Sequence, residues 1–255
     1  MAVAELTADP WARLVAGVVL GLIAGSFLAT LAIRWPRGQS VSVGRSRCDH
    51  CGVQLGSLEL VPVLGFAVSR GRCRHCAGEI ARSHLWMEIA AASIGGASVV
   101  LYPGWGGVWG ALMGWLLLVL AMLDLQHFWL PDRLTLPLLA SGLAAAWATG
   151  TPRLLDSLIG AVAGWAALAA IAAGYRLARG RVGIGGGDPK LFAGIGAWLG
   201  WQALPIVLLA AALFGLAVAG AMRLRGREVT RTTQLPLGTL LAAAAWPIWL
   251  VGVAR

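Results

Sequence analysis

Two aspartates stand where an apolar chain would ordinarily carry none. Asp124 closes the uncharged run WLLLVLAMLDL at residues 115–125, and Asp188 stands in GIGGGDPK at residues 183–190, at the mouth of another apolar stretch. A carboxylate at membrane depth costs several kcal/mol unless it is paired, protonated or facing water, so an aspartate there is a functional candidate. If the two converge, their like charges resist joint ionisation and the pair shares one proton, which makes a dyad able to activate water. No GxSxG nucleophile motif and no HExxH motif occurs in the chain, so an aspartyl mechanism is the hydrolytic chemistry left.

The second cluster is cysteine. All four cysteines, Cys48, Cys51, Cys73 and Cys76, lie in one polar segment as CDHC and CRHC, two CxxC knuckles at the spacing of a zinc ribbon. Two disulfides are the alternative, but charge patterning places the loop in the cytoplasm, where thiols stay reduced. Four thiolates close a tetrahedral site and leave no position for water, so the expected zinc is structural and stabilises a loop too small for its own core. His50 and His75 sit inside the knuckles and are expected to be exposed loop residues. Between the knuckles, the apolar stretch LELVPVLG at residues 58–65 is expected to pack on the ribbon or lie at the membrane interface.

The elements that position these residues follow from composition. Of 255 residues, 58% are hydrophobic and 12% charged, and the mean hydropathy is +0.77, far from a soluble balance. Apolar runs at residues 14–33, 86–102, 108–125, 131–148, 154–175, 203–222 and 235–251 are long enough to span as helices. An eighth, 190–200, is short. Nineteen of the 20 basic residues are arginine, clustered at residues 34–82, at Arg176, Arg179 and Arg181 with Lys190, and at Arg223, Arg225, Arg227 and Arg231. Arg-rich short loops stay in the cytoplasm, and all three clusters do so only if 190–200 crosses. The expected fold is therefore an all-α polytopic membrane protein of about eight transmembrane helices with a small cytoplasmic zinc-ribbon loop and both termini outside. Its parts are an N-terminal tail and first helix (1–33), a four-cysteine loop (34–85) and a seven-helix core (86–255). The first span, preceded by Glu5 and Asp9 rather than a basic leader, is expected to remain as a helix. The net charge of +9 reflects topology and attraction to anionic membrane lipid. No aromatic-interleaved basic face points to nucleic acid.

Four carboxylates fall near cytoplasmic helix ends: Glu88, Asp124, Asp132 and Asp188. Asp132 follows Pro131 in a first turn, where the helix dipole welcomes an anion. Asp188 precedes Pro189 and reads as an N-cap, but Gly185, Gly186 and Gly187 exceed that need and permit a close backbone approach by a substrate strand. Asp124 ends its helix where that helix's own dipole disfavours an anion, so capping does not explain it. Lys190, the only lysine, either biases Asp188 or contacts substrate carbonyls, or else snorkels at a helix end. His127 reads as an interfacial residue.

With these residues in place, the chain resembles the bacterial type IV prepilin peptidases, the GxGD-type aspartyl proteases that process pilins and type II secretion pseudopilins. The matching pieces are GSFL at 25–28, the paired knuckles with RGRCRHC at 70–76, LDLQHFWLPDRLTLPLL at 123–139, GGGDPKLFAGIGAWLGW at 185–201 and LPLG at 235–238. Their order runs nearly the full chain. The resemblance implies that Asp124 and Asp188 are catalytic, with Gly185, Gly187 and Lys190 supporting. It also implies that the enzyme cuts after a glycine in a short basic leader, at the cytoplasmic face of the bacterial inner membrane. Many members also methylate the new N-terminus with S-adenosylmethionine. Here Ala29 and Ile33 stand where the family pattern has asparagine and tyrosine, so cleavage is expected to be robust and methyl transfer weak or absent. The rival from another class is a proton-coupled transporter using paired intramembrane carboxylates, which predicts inverted repeats that the two halves do not display.

Overall fold

The computed structural model describes residues 9–41, 46–48, 50–181, 183–228, 230 and 233–252. Glu5, Arg45 and Arg231, which entered the charge reading, lie outside them. The helices are α1 (Pro10–Arg34), α2 (Leu64–Val68), α3 (Arg82–Leu101), α4 (Trp105–His127), α5 (Asp132–Thr149), α6 (Leu154–Arg179), α7 (Asp188–Leu199), α8 (Leu204–Leu224) and α9 (Leu237–Leu250). Among the described residues the only strand-like pairings are two isolated bridges, Arg47 with Gln54 and Arg72 with Glu79. The chain divides into two compact units, Met1–Trp115 and Leu116–Arg255.

In the first unit, α1 begins at Asp9, whose Oδ1 accepts the Trp11 N–H at 2.9 Å, with Pro10 in the first turn where its missing N–H costs nothing. The buried stripe of α1 is Gly17, Gly21, Gly25, Ala29 and Ala32, a spacing of four and then three residues that lays small residues along one face. A Cβ on Gly25 would fall 2.7 Å from Glu88 Cα on α3, so the two backbones touch directly, as membrane helix pairs do when dispersion replaces the hydrophobic drive. Trp115 closes the unit by donating its indole N–H to Ala91 O at 2.9 Å.

In the second unit, α7 is the central element. Apart from Lys190, every residue from Asp188 to Leu199 is buried, against α5 and α6. Gly160 of α6 meets Gly196 of α7 backbone to backbone, and a Cβ on Gly164 would lie 2.6 Å from Phe192 O. Trp198 donates its indole N–H to Leu138 O of α5 at 2.8 Å. A helix of 12 residues is about 18 Å long, shorter than a bilayer core.

Five helices, those built on α1, α3, α4, α6 and α8, are long and apolar enough to cross a membrane, and α9 is a shorter apolar helix. The chain is thus multi-pass and all-helical as expected, while α5 and α7 fall outside that group of five.

Candidate active site and metal centre

Asp124 lies in the last turn of α4 and is 5% exposed. Burying an anion at a helix C-terminus is unfavourable by itself, and the second unit compensates from another helix. The N-terminal residue before α9 is Pro236, which offers no side-chain cap, so the first amides of α9 are orphan donors. Asp124 Oδ2 accepts the Thr239 N–H at 2.8 Å and lies 3.3 Å from Thr239 Oγ1. In effect Asp124 caps α9 from outside, with the positive end of the α9 dipole facing it, an arrangement worth up to about 2 kcal/mol when partly buried. Gly238 makes room for it: a Cβ there would fall 3.0 Å from Asp124 Oδ2 and 2.8 Å from Leu130 Cδ1.

Asp188 is 6% exposed and is the first residue of α7 rather than its N-cap, which is Gly187. That corrects the capping expectation, because the carboxylate turns back on the loop: its Oδ2 accepts the Gly185 N–H at 2.9 Å. Its Oδ1 is buried without a hydrogen-bond partner. Leu130 lies against both segments: a Cβ on Gly187 would sit 2.6 Å from Leu130 Cβ, and one on Gly238, beside Asp124, would sit 2.8 Å from Leu130 Cδ1. Of the three glycines, none has a positive φ. Gly187 is required by the approach of Leu130, Gly185 by its carboxylate neighbour at 3.1 Å, and Gly186 faces open space.

Lys190 points elsewhere than Asp188. Its Nζ pairs with Asp132 Oδ1 at 2.6 Å, with both side chains about half exposed, so it ties the start of α5 to the start of α7. His127 is exposed at the end of α4. Thr239 is the residue that sequence reasoning missed, because a threonine following glycine at a helix start gives no sign of a carboxylate 115 positions earlier.

The cysteines form two copies of one turn. In the first knuckle, Cys48 N–H donates to Val53 O and Gly52 N–H to Cys48 O. In the second, Cys73 N–H donates to Gly78 O and Ala77 N–H to Cys73 O, each bond at 2.8 to 2.9 Å. The residue after each second cysteine is left-handed, Gly52 at φ 70° and Ala77 at φ 56°. All four cysteines are free thiols. Their sulfurs lie within 4.8 Å of one another, with Cys48 to Cys76 at 3.9 Å and Cys51 to Cys73 at 4.0 Å. Thiolates held tetrahedrally on zinc at about 2.3 Å stand about 3.8 Å apart, so the set fits such an ion. The Cys73 thiol is drawn down to about 6, first by the backbone N–H of Cys76 and then by that of His75, whereas Cys76, despite the Gly78 N–H, is pushed up to about 11 by burial and the neighbouring sulfurs, so the four thiols do not ionise together until a metal takes their protons' place. His50 and His75 are exposed, and neither belongs to the cluster.

Residues 19–102 match the bacterial peptidase A24 N-terminal domain, and residues 111–220 match the type IV leader peptidase family. A prepilin leader peptidase/N-methyltransferase of Aeromonas hydrophila is 40% identical over 215 residues, covering 84% of this chain and 73% of the relative. The chain belongs to the type IV leader peptidase family. Relatives of the same name in Stutzerimonas stutzeri and Pseudomonas aeruginosa are 34% and 33% identical, each alignment covering 97% of this chain and 93% of the relative. No solved structure matches the chain. Membership of a peptidase family leaves the transporter reading without support.

One substitution against the family pattern now has a structural setting. Ala29 is 1% exposed and belongs to the α1 stripe of small residues.

Proposed function

We propose that the chain is a membrane aspartyl endopeptidase that removes the basic leader of type IV prepilins or type II secretion pseudopilins, with Asp124 and Asp188 as its catalytic carboxyls. The observation that carries this reading is the asymmetry of the pair: Asp124 Oδ2 accepts the Thr239 backbone N–H at the start of α9, whereas Asp188 Oδ1 is buried and bare. The α9 amides favour a negative charge on Asp124, and we assign the shared proton to Asp188, whose Oδ1 can then donate it.

The reaction then balances in two steps. Asp124 takes a proton from a water molecule as the water oxygen bonds to the carbonyl carbon of the leader's last glycine, and Asp188 gives its proton to the carbonyl oxygen. The tetrahedral intermediate breaks its C–N bond, the amine leaves with the proton held by Asp124, and Asp188 recovers its own from the hydroxyl. The Gly185 N–H orients Asp188, and Gly187 lets Leu130 seat the loop. The exposed edge of Gly185 and Gly186 is where an extended substrate passes. Lys190 supports the site by holding Asp132.

The four thiolates would hold a structural zinc, which has no open position and takes no part in hydrolysis. S-adenosylmethionine would donate the methyl group in the second activity carried by the relatives' name, and no residue of this chain is assigned to it. The topology we favour has eight crossings in the bacterial inner membrane, with the aspartates facing the cytoplasm. The short α7 crosses because it is wrapped in protein rather than lipid. The parts remain the tail and first helix (1–33), the metal loop (34–85) and the seven-helix core (86–255). Its partners are the prepilin substrates and membrane lipid, not nucleic acid. The test is to incubate purified, lipid-reconstituted protein with a synthetic prepilin and read the products by mass spectrometry. Release of the intact leader supports the reading, and an uncut substrate contradicts it.

A further inference from the structure

The stretch between the knuckles is built to face outward, and a buried carboxylate sets its level. Glu88 on α3 is 7% exposed, and its Oε2 accepts the Val63 N–H at 2.8 Å. Val63 holds a left-handed φ of 63°, a strained conformation for a β-branched residue that persists only when its surroundings impose it. Gly65 then packs on the Glu59 backbone, and Glu59 Oε2 accepts the Gly56 N–H at 2.8 Å. The 3-10 turn Ser57–Leu60 and α2 are thereby fixed as one piece. From that piece Leu58, Leu64 and Val68 project 74%, 62% and 65% exposed, with Leu60 and Val61 also open. Leu64 and Val68, four positions apart on α2, share one face, and Leu60 stands open on the turn before it.

Depth follows from the same bond. Glu88 lies six residues beyond Arg82, the first residue of α3, about 9 Å along the axis. Its side chain leans back toward the helix N-terminus, so the Val63 amide sits about one turn inside the level of Arg82. Arg34 and Arg82, at the facing ends of α1 and α3, mark the headgroup level if both helices cross. The segment 34–82 carries eight arginines against Asp49, Glu59 and Glu79, and Arg37, Arg47, Arg70, Arg72, Arg74 and Arg82 are exposed. An apolar stripe about one turn below a basic collar matches the charge and depth of an anionic bilayer surface.

We propose that Ser57–Val68 is an interfacial anchor, inserting Leu60, Leu64 and Val68 into the headgroup boundary of an anionic membrane while Arg70, Arg72 and Arg74 meet lipid phosphates. Glu88 is the positioning residue that sets its depth, and the anchor holds the metal loop flat on the membrane. The inference rests on the proposed topology, not on the peptidase reading.

The test uses the full-length, zinc-loaded protein with a photoreactive benzoylphenylalanine at position 64, 68 or 75, in vesicles of phosphatidylcholine alone or mixed equally with phosphatidylglycerol. Adducts are read by mass spectrometry without turnover, so the outcome is separate from whether the enzyme cleaves. Lipid adducts should form at positions 64 and 68, several-fold above position 75 in the ribbon tip. Phosphatidylglycerol should be over-represented among them, and joint replacement of Arg70, Arg72 and Arg74 by Gln should return it to its share of the bilayer. Glu88→Ala should lower the yield at position 64 with zinc content retained, and Glu88→Gln, which still accepts the Val63 N–H, should restore it. Equal labelling at positions 64 and 75 would overturn the anchor. So would adducts confined to an added prepilin's apolar helix, which would assign the stripe to substrate instead.

Discussion

Replacing Gly238 by Ala should damage cleavage more than replacing Thr239 by Val, although Thr239 makes the visible hydrogen bonds. The Thr239 hydroxyl has one hydrogen and two acceptors, Ala121 O at 2.8 Å and Asp124 Oδ2 at 3.3 Å. The shorter bond takes it, so valine removes little from Asp124 and leaves the Thr239 backbone N–H in place at 2.8 Å. A hydrogen bond of this kind is worth about 1 kcal/mol, or about five-fold in rate. The alanine methyl at position 238, by contrast, arrives 3.0 Å from Asp124 Oδ2 and 3.1 Å from its Cγ, while its other neighbour, Leu130 Cδ1 at 2.8 Å, ends a flexible side chain. Leu130 can swing aside, but Asp124 is pinned by α9 and must shift by a few tenths of an ångström. Misplacing a catalytic group by about 1 Å costs roughly a hundred-fold, so a shift approaching half an ångström lowers kcat by up to about ten-fold. The overpacking costs about 1–3 kcal/mol of stability. The assay is prepilin cleavage in proteoliposomes, with folding checked by thermal melting. A Gly238→Ala enzyme that cuts at the parental rate, or a Thr239→Val enzyme that is the worse of the two, refutes the account of how Asp124 is held.

The half-exposed pair of Asp132 and Lys190 is worth no more than about 1 kcal/mol, so Asp132→Asn should keep cleavage within about five-fold of the parent in the same assay. Purified protein should contain one zinc per chain by elemental analysis, and Cys73→Ser should lose both the metal and protease resistance of residues 46–80. Zinc uptake by chelator-stripped protein should fall as pH drops from neutral to about 5, as protons compete with the metal for the four thiolates. Uptake unchanged well below that pH would contradict thiolate ligation. Because the relatives' name includes an N-methyltransferase, product from a complete digest should gain the methyl mass increment in proportion to added S-adenosylmethionine, and unmethylated product would favour the peptidase acting alone that Ala29 and Ile33 suggest.

The helices were legible because apolar runs and their charged ends are local signals, and every expected span has a helix at its place within a few residues. The cysteine cluster was legible for the same reason: each knuckle is a local turn, and only the pairing of the two turns is long-range. Asp124 stood out by lacking a local reason to exist. Its actual partner was hidden, since the open amides of α9 become an anion site only when α4 packs beside them. The error at Asp188 has a related cause, for Asp-Pro is a common helix start and only the tertiary fold decides that the carboxylate turns back to Gly185. Lys190 meeting Asp132 and Val63 adopting a left-handed φ also depend on helices brought together from distant sequence.

The most direct measurement is cleavage of a synthetic prepilin by Asp124→Asn and Asp188→Asn, each reconstituted in lipid with zinc content and melting temperature matched to the parent. Asparagine keeps the shape and can still accept from Thr239 or Gly185, but it can neither take a proton from water nor pass one to the substrate. The proposed mechanism predicts that neither variant releases leader above background over many parental turnover times. Cleavage by either folded variant at a rate near the parent's would contradict it and move the chemistry away from this pair.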